Sequence, residues 1–300
     1  MRDPYIYICV AHPLRWPHRK IVSGWTDNAG MNLDGMTALV TGGADGIGAG
    51  IAERLAAEGM HVVVADLDES AGQATAARIG GSFVRADAAS RADVRAAVDT
   101  ACRAAGRLGV LVNNAGGVEG PYFPEAGPAK WEYTLDLNLR AVMLATQLVL
   151  GPMAGGGGGA IINIASVGAL GTTSYDKPEY AAAKAGVIRL TACLAPLRDT
   201  MGVRANCICP GLVDSPSSRR SRARMTPAEL ADLPPVLTPA DIADAAMDFL
   251  ADDTLAGRIM VCCGGEPNHL LPLIERQTAL PARPGRCGRH IRLDGGSRHR

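Results

Sequence analysis

The eight residues 41–48, Thr-Gly-Gly-Ala-Asp-Gly-Ile-Gly (TGGADGIG), decide the fold, because they follow an apolar run and open a stretch of helical periodicity. Gly42, Gly46 and Gly48 let the backbone turn tightly, approach a pyrophosphate and pack the new helix on a sheet. The first helical turn, which includes Ile47, offers backbone N–H groups to a negative charge. The stretch predicts a strand, a phosphate-binding turn and a helix. A glycine-rich turn without a ligand is the alternative.

An acidic residue stands where such a turn needs one. Asp66 comes 24 residues after Gly42, at the end of the next apolar run, and Leu67 follows it. A carboxylate at this place accepts hydrogen bonds from ribose hydroxyls and repels a 2′-phosphate. Asp45 and Asp68 add further negative charge nearby. The pattern therefore favours NAD over NADP as the cofactor.

Asp87 and Ala88 follow the third apolar run of the chain. From this position the Asp87 carboxylate would accept a hydrogen bond from the adenine amino group. A plain loop aspartate explains the same residue nearly as well.

Apolar runs alternate with helical stretches from Met36 onward, which is typical of parallel strands buried on both faces. Seven strands separated by six helices indicate a doubly wound α/β sheet. The predicted strands are 37–40, 61–65, 82–85, 109–112, 160–164, 204–208 and 257–262. The predicted helices are 47–58, 69–79, 91–105, 131–150, 178–200 and 240–250. A hydroxyl cap precedes an acid by three residues at Ser90, Thr226 and Thr238, which predicts three helix starts.

The composition is that of a globular protein, with 47% hydrophobic and 20% charged residues in a chain of 300. The eight cysteines form no metal-binding pattern, so we expect no metal and a reduced, cytoplasmic setting. No run of about 18 apolar residues predicts a membrane span.

The net charge of zero hides two basic ends. Residues 1–30 carry a net charge of +2 and residues 274–300 one of +5, so the region between them carries −7. An acidic body argues against a nucleic-acid partner. We expect a poorly ordered extension over residues 1–30, one domain over 31–273 and a disordered tail over 274–300. The arginine-rich tail could bind nucleic acid or acidic surfaces, but such runs are more often solvated.

Tyr180 and Lys184 stand four residues apart in the helical stretch EYAAAKAG, so both face one side of the helix. A phenol with a pKa near ~10 is a poor base at neutral pH unless a nearby cation stabilises its anion. We expect Lys184 to lower the pKa of Tyr180 in this way. A chance pairing of two common residue types is the alternative. Ser166 follows the predicted strand at 160–164. It either donates a hydrogen bond to a substrate oxygen or serves as a turn residue.

Taken in order, the motifs resemble those of the short-chain dehydrogenase/reductase family. The resemblance spans residues 31–267 and rests on TGGADGIG at 41–48, NNAG at 113–116, Ser166, YAAAK at 180–184 and CPG at 209–211 followed by Ser215. The family implies a single doubly wound Rossmann fold with a parallel sheet flanked by helices on both faces. It also implies nicotinamide hydride transfer and homodimers or homotetramers.

The same resemblance assigns roles to single residues. Tyr180 becomes the general acid/base, Lys184 its electrostatic partner and a ribose ligand, and Ser166 the group that polarises the substrate carbonyl. Asn138 matches the helix asparagine that holds a water joining the lysine to solvent. The implied cofactor contacts after the fourth and sixth strands are Asn113, Asn114, Ala115, Gly116, Pro210, Gly211, Val213 and Ser215.

The predicted function is an NAD-dependent oxidoreductase acting on a secondary alcohol or ketone. A pocket of Val167, Leu170, Tyr175 and Leu212 would receive that substrate. The arginines of residues 217–224 would either clamp an acidic substrate group or form a solvated lid. The alternative function is a catalytically idle NAD-binding protein that regulates or docks a partner.

Overall fold

Eight strands form one sheet in the computed structural model, which describes residues 30–171 and 175–273. The strand order is β3-β2-β1-β4-β5-β6-β7-β8. The strands are Thr37–Thr41 (β1), His61–Asp66 (β2), Ser82–Arg85 (β3), Leu108–Asn113 (β4), Gly159–Ile164 (β5), Val203–Pro210 (β6), Ile259–Cys262 (β7) and His269–Leu270 (β8). Strands β1 to β7 are parallel, which confirms the α/β fold class.

Helices cover both faces of this sheet. They are Gly46–Ala57 (α1), Glu69–Arg78 (α2), Arg91–Arg103 (α3), Pro128–Leu135 (α4), Ala141–Gly155 (α5), Pro178–Cys193 (α6), Leu197–Met201 (α7), Pro216–Arg222 (α8), Pro227–Ala231 (α9) and Pro239–Ala251 (α10). A π-helical turn at Asp136–Arg140 joins α4 to α5. Each of the three predicted hydroxyl caps accepts its hydrogen bond, from Asp93, Glu229 and Asp241.

The predicted count of seven strands was one too low. The short strand β8 pairs antiparallel with β7, with Met260 opposite Leu270 and Val261 opposite His269. A strand of two residues is too short to carry an alternating apolar pattern, so it could not be predicted from the sequence.

The core has one apolar layer on each face of the sheet. Leu39 of β1 packs with Val98 of α3 and Val149 of α5. Its neighbour Val40 points to the other face, where Ile51 of α1 and Phe249 of α10 lie. This alternation along one strand is why each run in the sequence is apolar at every position.

Residues 128–155 form the one stretch among the described residues that is long and apolar enough to cross a membrane, with 28 residues and a mean hydropathy of 1.2 over an 18-residue window. A core helix passes the same test. Here α5 contributes Val142, Val149 and Met153 to the core, so the stretch is weak evidence for a span.

The order of the strands positions the site. Strand β1 lies between β2 and β4, so the chain runs outward in opposite directions on its two sides. Ligands of doubly wound sheets bind in the crevice at the carboxyl ends of the strands at this reversal. The glycine turn at residues 42–45 lies at this end of β1. The predicted extension, apart from Gly30, and the predicted tail lie outside the described residues.

Candidate active site

A cavity of about 780 Å³ opens at the carboxyl ends of the strands. We call it the main cavity. The glycine turn, the ends of β2 and β3 and the loops after β4, β5 and β6 all contribute to its wall. The predicted site residues that line it are Gly42, Asp45, Gly46, Ile47, Asp66, Leu67, Asp87, Ala88, Asn114, Ala115, Gly116, Ser166, Tyr180, Lys184, Pro210, Gly211, Val213 and Ser215.

The glycines of the turn are required by close contacts. A β-carbon at Gly42 would lie 2.8 Å from the Cα of Ala115, and φ at Gly42 is +63°. Gly46 also has a positive φ, +52°, in the region that favours glycine. Gly48 does not line the cavity, because it faces inward, and a β-carbon there would clash with the carbonyl oxygen of Gly42. Gly48 therefore packs helix α1 against the turn.

Three carboxylates, those of Asp45, Asp66 and Asp68, lie near the β2 end of the main cavity, and the first two line it. Asp66 accepts hydrogen bonds from the backbone N–H groups of Ala44, at 2.9 Å, and Asp68, at 3.0 Å. These bonds fix the Asp66 carboxylate against the turn and leave lone pairs for further donors. Burial raises the pKa of Asp45, and the negative charges of Asp66 and Asp68 raise it further. This end of the cavity is therefore negatively charged.

Thr41 organises the loop after β4, and sequence reasoning had given it no role. Its Oγ1 accepts hydrogen bonds from the backbone N–H groups of Asn114, at 3.1 Å, and Ala115, at 3.2 Å. The Asn114 side chain donates back to the carbonyl oxygen of Gly42 at 2.7 Å. Asn114 thus joins the two loops that flank the reversal point.

The expectation that Asn113 lines the cofactor was wrong. Its side chain is buried in the core and donates to Oδ1 of Asn163 at 2.8 Å and to Oγ1 of Thr146 at 3.3 Å. Asn163 in turn donates to Thr191 at 2.9 Å. Side chains alternate along a strand, so the adjacent Asn114 faces the site while Asn113 faces α5 and α6.

Ser166, Tyr180 and Lys184 meet at the β5 end of the main cavity. Ser166 follows β5, and Tyr180 and Lys184 lie one turn apart on α6. Lys184 is only 2% exposed, and its ammonium donates to the carbonyl oxygen of Ile164 at 2.8 Å. The same Nζ lies 5.8 Å from the centroid of the Tyr180 ring. The phenol of Tyr180, the hydroxyl of Ser166 and the ammonium of Lys184 therefore face the same part of the main cavity.

Burial dominates the protonation of this group, which differs from the sequence expectation. Burial raises the pKa of Tyr180, whereas a hydrogen bond with Ser166 acts to lower it. Burial also lowers the pKa of Lys184 to about 8. The expected lowering of the Tyr180 pKa by Lys184 is not found here, because both groups lose hydration together.

Asn138 lies in the π-helical turn and is fully buried outside the cavity wall. Its Nδ2 donates to the carbonyl oxygens of Gly117, at 2.8 Å, and Thr134, at 2.9 Å, and its Oδ1 accepts from the N–H of Gly117 at 2.9 Å. The side chain clamps the loop after β4. Its water-holding role stays a prediction.

The segment after β6 covers the cavity from the other side. Ser215 caps the N-terminus of α8 and accepts a hydrogen bond from Ser218 N–H at 3.2 Å. Tyr175 and Leu212 of the predicted substrate pocket line the cavity, whereas Val167 and Leu170 pack into a neighbouring apolar cluster. The short helix α8 has no apolar periodicity, so the sequence did not predict it.

No group of three metal-binding side chains occurs in residues 30–171 and 175–273. None of the six cysteines in these ranges forms a disulfide. Burial raises the pKa of Cys262 to about 12, so the adjacent pair at 262 and 263 does not supply a ready thiolate at that position.

Comparison with known proteins identifies the family. The model of the short chain dehydrogenase family matches residues 36–226. A (2S)-[(R)-hydroxy(phenyl)methyl]succinyl-CoA dehydrogenase subunit from Thauera aromatica is 34% identical over 251 residues, which cover 78% of this chain and 98% of that protein. D-threitol dehydrogenase from Mycolicibacterium smegmatis is 37% identical over 245 residues, covering 78% and 93%. The chain belongs to the short-chain dehydrogenase/reductase family.

Solved structures agree with this assignment. A 7α-hydroxysteroid dehydrogenase complexed with NADH and 7-oxo glycochenodeoxycholic acid superposes with a TM-score of 0.70 at 30% identity, over 78% of this chain and 96% of that chain. An actinorhodin polyketide ketoreductase with NADPH also gives 0.70, at 29% identity over 78% and 97%. The protein is an NAD(P)-binding oxidoreductase with a Rossmann fold, and the two neighbours hold different forms of the dinucleotide.

Proposed function

We propose that this protein transfers a hydride between NAD and a secondary alcohol or ketone, with Tyr180 as the general acid/base. The observation that carries the proposal is that Tyr180, Ser166 and Lys184 line the same cavity as the glycine turn. The named relatives, a threitol dehydrogenase and a hydroxysteroid dehydrogenase among them, support an alcohol or ketone as the substrate.

The residues of the main cavity fit a dinucleotide. Gly42 and Gly46 leave the backbone of the turn open to a pyrophosphate, and Asp66 can accept bonds from the adenosine ribose. Asp87, Ala88 and Leu67 would enclose the adenine. The nicotinamide half would lie toward Tyr180, between the loops at residues 114–116 and 210–215, with Lys184 bound to its ribose. When bound, the nicotinamide ring supplies the hydride acceptor or donor.

Side chains of this protein accept and donate the proton of the reaction. In alcohol oxidation, Ser166 hydrogen-bonds to the substrate oxygen and Tyr180 accepts the hydroxyl proton. The Lys184 ammonium, whose pKa burial lowers to about 8, would lie near the phenolate that forms and offset part of the cost of burying that charge. In ketone reduction, Tyr180 returns the proton to the carbonyl oxygen. Asn138 would connect Lys184 to solvent through a water molecule.

NAD is favoured over NADP by the charges at the β2 end. A 2′-phosphate would lie beside Asp66, with Asp45 and Asp68 close by. Burial raises the pKa of Asp45 and the charges of Asp66 and Asp68 raise it further, so added negative charge would be unfavourable here. We further propose a cytoplasmic homodimer or homotetramer, as the family resemblance and the spacing of the cysteines in the sequence suggest, with no nucleic-acid partner.

Substitution of Tyr180 by Phe tests the mechanism. Loss of a general acid/base lowers turnover by about 10²–10⁴-fold, while NAD binding changes little. A panel of alcohols and ketones is followed by the absorbance of the reduced nicotinamide, with NAD and NADP in parallel. Tyr122→Phe is the matched control, since Tyr122 does not line the cavity. Full turnover in Tyr180→Phe would refute the role of Tyr180.

The same panel tests the alternative of an idle binding protein. Such a protein would bind NAD but reduce or oxidise no member of the panel. Higher kcat/KM with NADP than with NAD would contradict the proposed cofactor preference and leave the role of Tyr180 intact.

A further inference from the structure

One cation on the wall of the main cavity has no place in the proposed chemistry. Arg220 of α8 lines the cavity together with Gly42, Asp45 and Gly46. The residue is exposed, and within residues 30–171 and 175–273 its guanidinium makes no hydrogen bond or ion pair. Its charge reaches Asp45, whose pKa it acts to lower against the effects of burial and of Asp66.

The neighbouring arginines of α8 are engaged elsewhere. Arg219 binds Asp214 through Nε at 3.0 Å and through a terminal nitrogen at 2.7 Å. Arg222 also forms an ion pair with Asp214. These pairs hold one side of α8 to the segment that leaves β6. Arg220 is thus the arginine of this helix that faces the cavity.

Helix α8 begins directly against the glycine turn. A β-carbon at Gly46 would lie 3.0 Å from the Cβ of Ser215, the residue that caps α8. Ser217 and Ser218 line the cavity between this contact and Arg220. The first turns of α8 therefore face the place where the glycine turn would hold a pyrophosphate.

We propose that Arg220 binds the pyrophosphate of the bound dinucleotide and so fastens α8 over the glycine turn. This inference rests on the proposed function. A guanidinium presents a planar set of donors that suits phosphate oxygens, and a pyrophosphate carries more negative charge than the single carboxylate of Asp45. Arg220 would exchange its long-range attraction to Asp45 for direct contacts with the pyrophosphate. Asp66 and Asp68 disfavour a 2′-phosphate as its ligand.

Binding of nucleotide fragments tests the proposal. Adenosine, adenosine 2′-monophosphate, ADP and NAD are titrated by calorimetry into the full chain and into Arg220→Ala. A lost charge-assisted contact worth about 1.4 kcal/mol weakens ADP and NAD about tenfold and leaves adenosine unchanged. Arg224→Ala is the matched control, because it removes the same charge from the same segment and Arg224 does not line the cavity.

Each other outcome overturns the assignment. Equal loss for adenosine and ADP would mean that Arg220 supports the fold of α8 and does not contact the pyrophosphate. Loss confined to adenosine 2′-monophosphate would move Arg220 to the ribose. Unchanged ADP binding in Arg220→Ala would end this inference alone, since the wild-type protein still binds NAD. Absence of NAD binding by the wild type would end the proposed function as well.

Discussion

Gly48 is the residue at which a single methyl group would do the most damage to the glycine turn. A β-carbon there would overlap the Gly42 carbonyl oxygen and lie close to the Asn114 amide, so both the turn and the loop after β4 would have to move. We expect Gly48→Ala to abolish dinucleotide binding and to destabilise the fold by about 1–3 kcal/mol, the usual cost of overpacking. Urea unfolding and NAD titration measure the two effects.

Gly155 is the matched control for this prediction. It ends α5, and a β-carbon there would meet nothing within 4 Å. Gly155→Ala should leave stability within about 0.5 kcal/mol of the wild type or raise it slightly. If Gly48→Ala behaved like Gly155→Ala, the close approach of α1 to the turn would not be needed.

The positions of the glycines and acids around the turn could be predicted from sequence, because their spacing follows the local path of the backbone. Thr41 escaped notice, since a threonine at the end of a strand is common and only its two N–H partners, more than 70 residues away, reveal its use. The sequence could not show which of Asn113 and Asn114 faces the cavity, because the side of the sheet on which a strand residue lies depends on register.

Helix α10 depends on an element that lies far away in sequence. The guanidinium of Arg204, on β6, is 5% exposed and donates to the carbonyl oxygens of Phe249, at 2.7 Å, Leu250, at 3.3 Å, and Asp252, at 2.8 Å. It thereby satisfies carbonyls at the end of α10 that lack partners within the helix. These bonds attach the end of α10 to β6.

Arg204→Met removes those bonds while keeping much of the packing volume. We expect the free energy of unfolding to fall by about 2–4 kcal/mol, since buried carbonyls lose charged donors. Arg95→Met, at an exposed position of α3, should change it by less than about 0.5 kcal/mol. Denaturant melts of both variants measure the difference. Equal stability would mean that water replaces the guanidinium at no cost.

At the level of elements, the long helices and buried strands followed from periodicity, but short ones did not. Helix α8 has a polar sequence, and it is held by the Ser215 cap and by the ion pairs to Asp214. Strand β8 forms because the edge of β7 provides hydrogen-bond partners for it. Both depend on partners outside their own segments.

The stability of the whole molecule should depend on pH through Lys184. Burial lowers its pKa from 10.5 to about 8, so the folded protein binds this proton more weakly than the unfolded chain. The cost of burying the charge is therefore greatest below about pH 8 and is relieved as pH rises toward 10.5. The raised pKa of Tyr180 acts in the opposite direction only above a pH of about 10.

We compare wild type with Lys184→Met by urea unfolding at about pH 7.5 and about pH 9.5. Relative to the variant, the wild type should gain on the order of 2 kcal/mol between the two values. Other titrating groups are shared by both proteins and cancel in the comparison. Parallel pH profiles would show that Lys184 keeps an ordinary pKa in the fold.

The sequence by itself determined the α/β class, the turn at residues 41–48 and the candidates Ser166, Tyr180 and Lys184, because strand and helix periodicity and turn chemistry are local properties. Tertiary structure alone decided that these three side chains share a cavity with the turn, that Asn113 belongs to the core and that Arg220 faces the site. Those outcomes depend on strand order, register and burial, which bring together groups far apart in the chain.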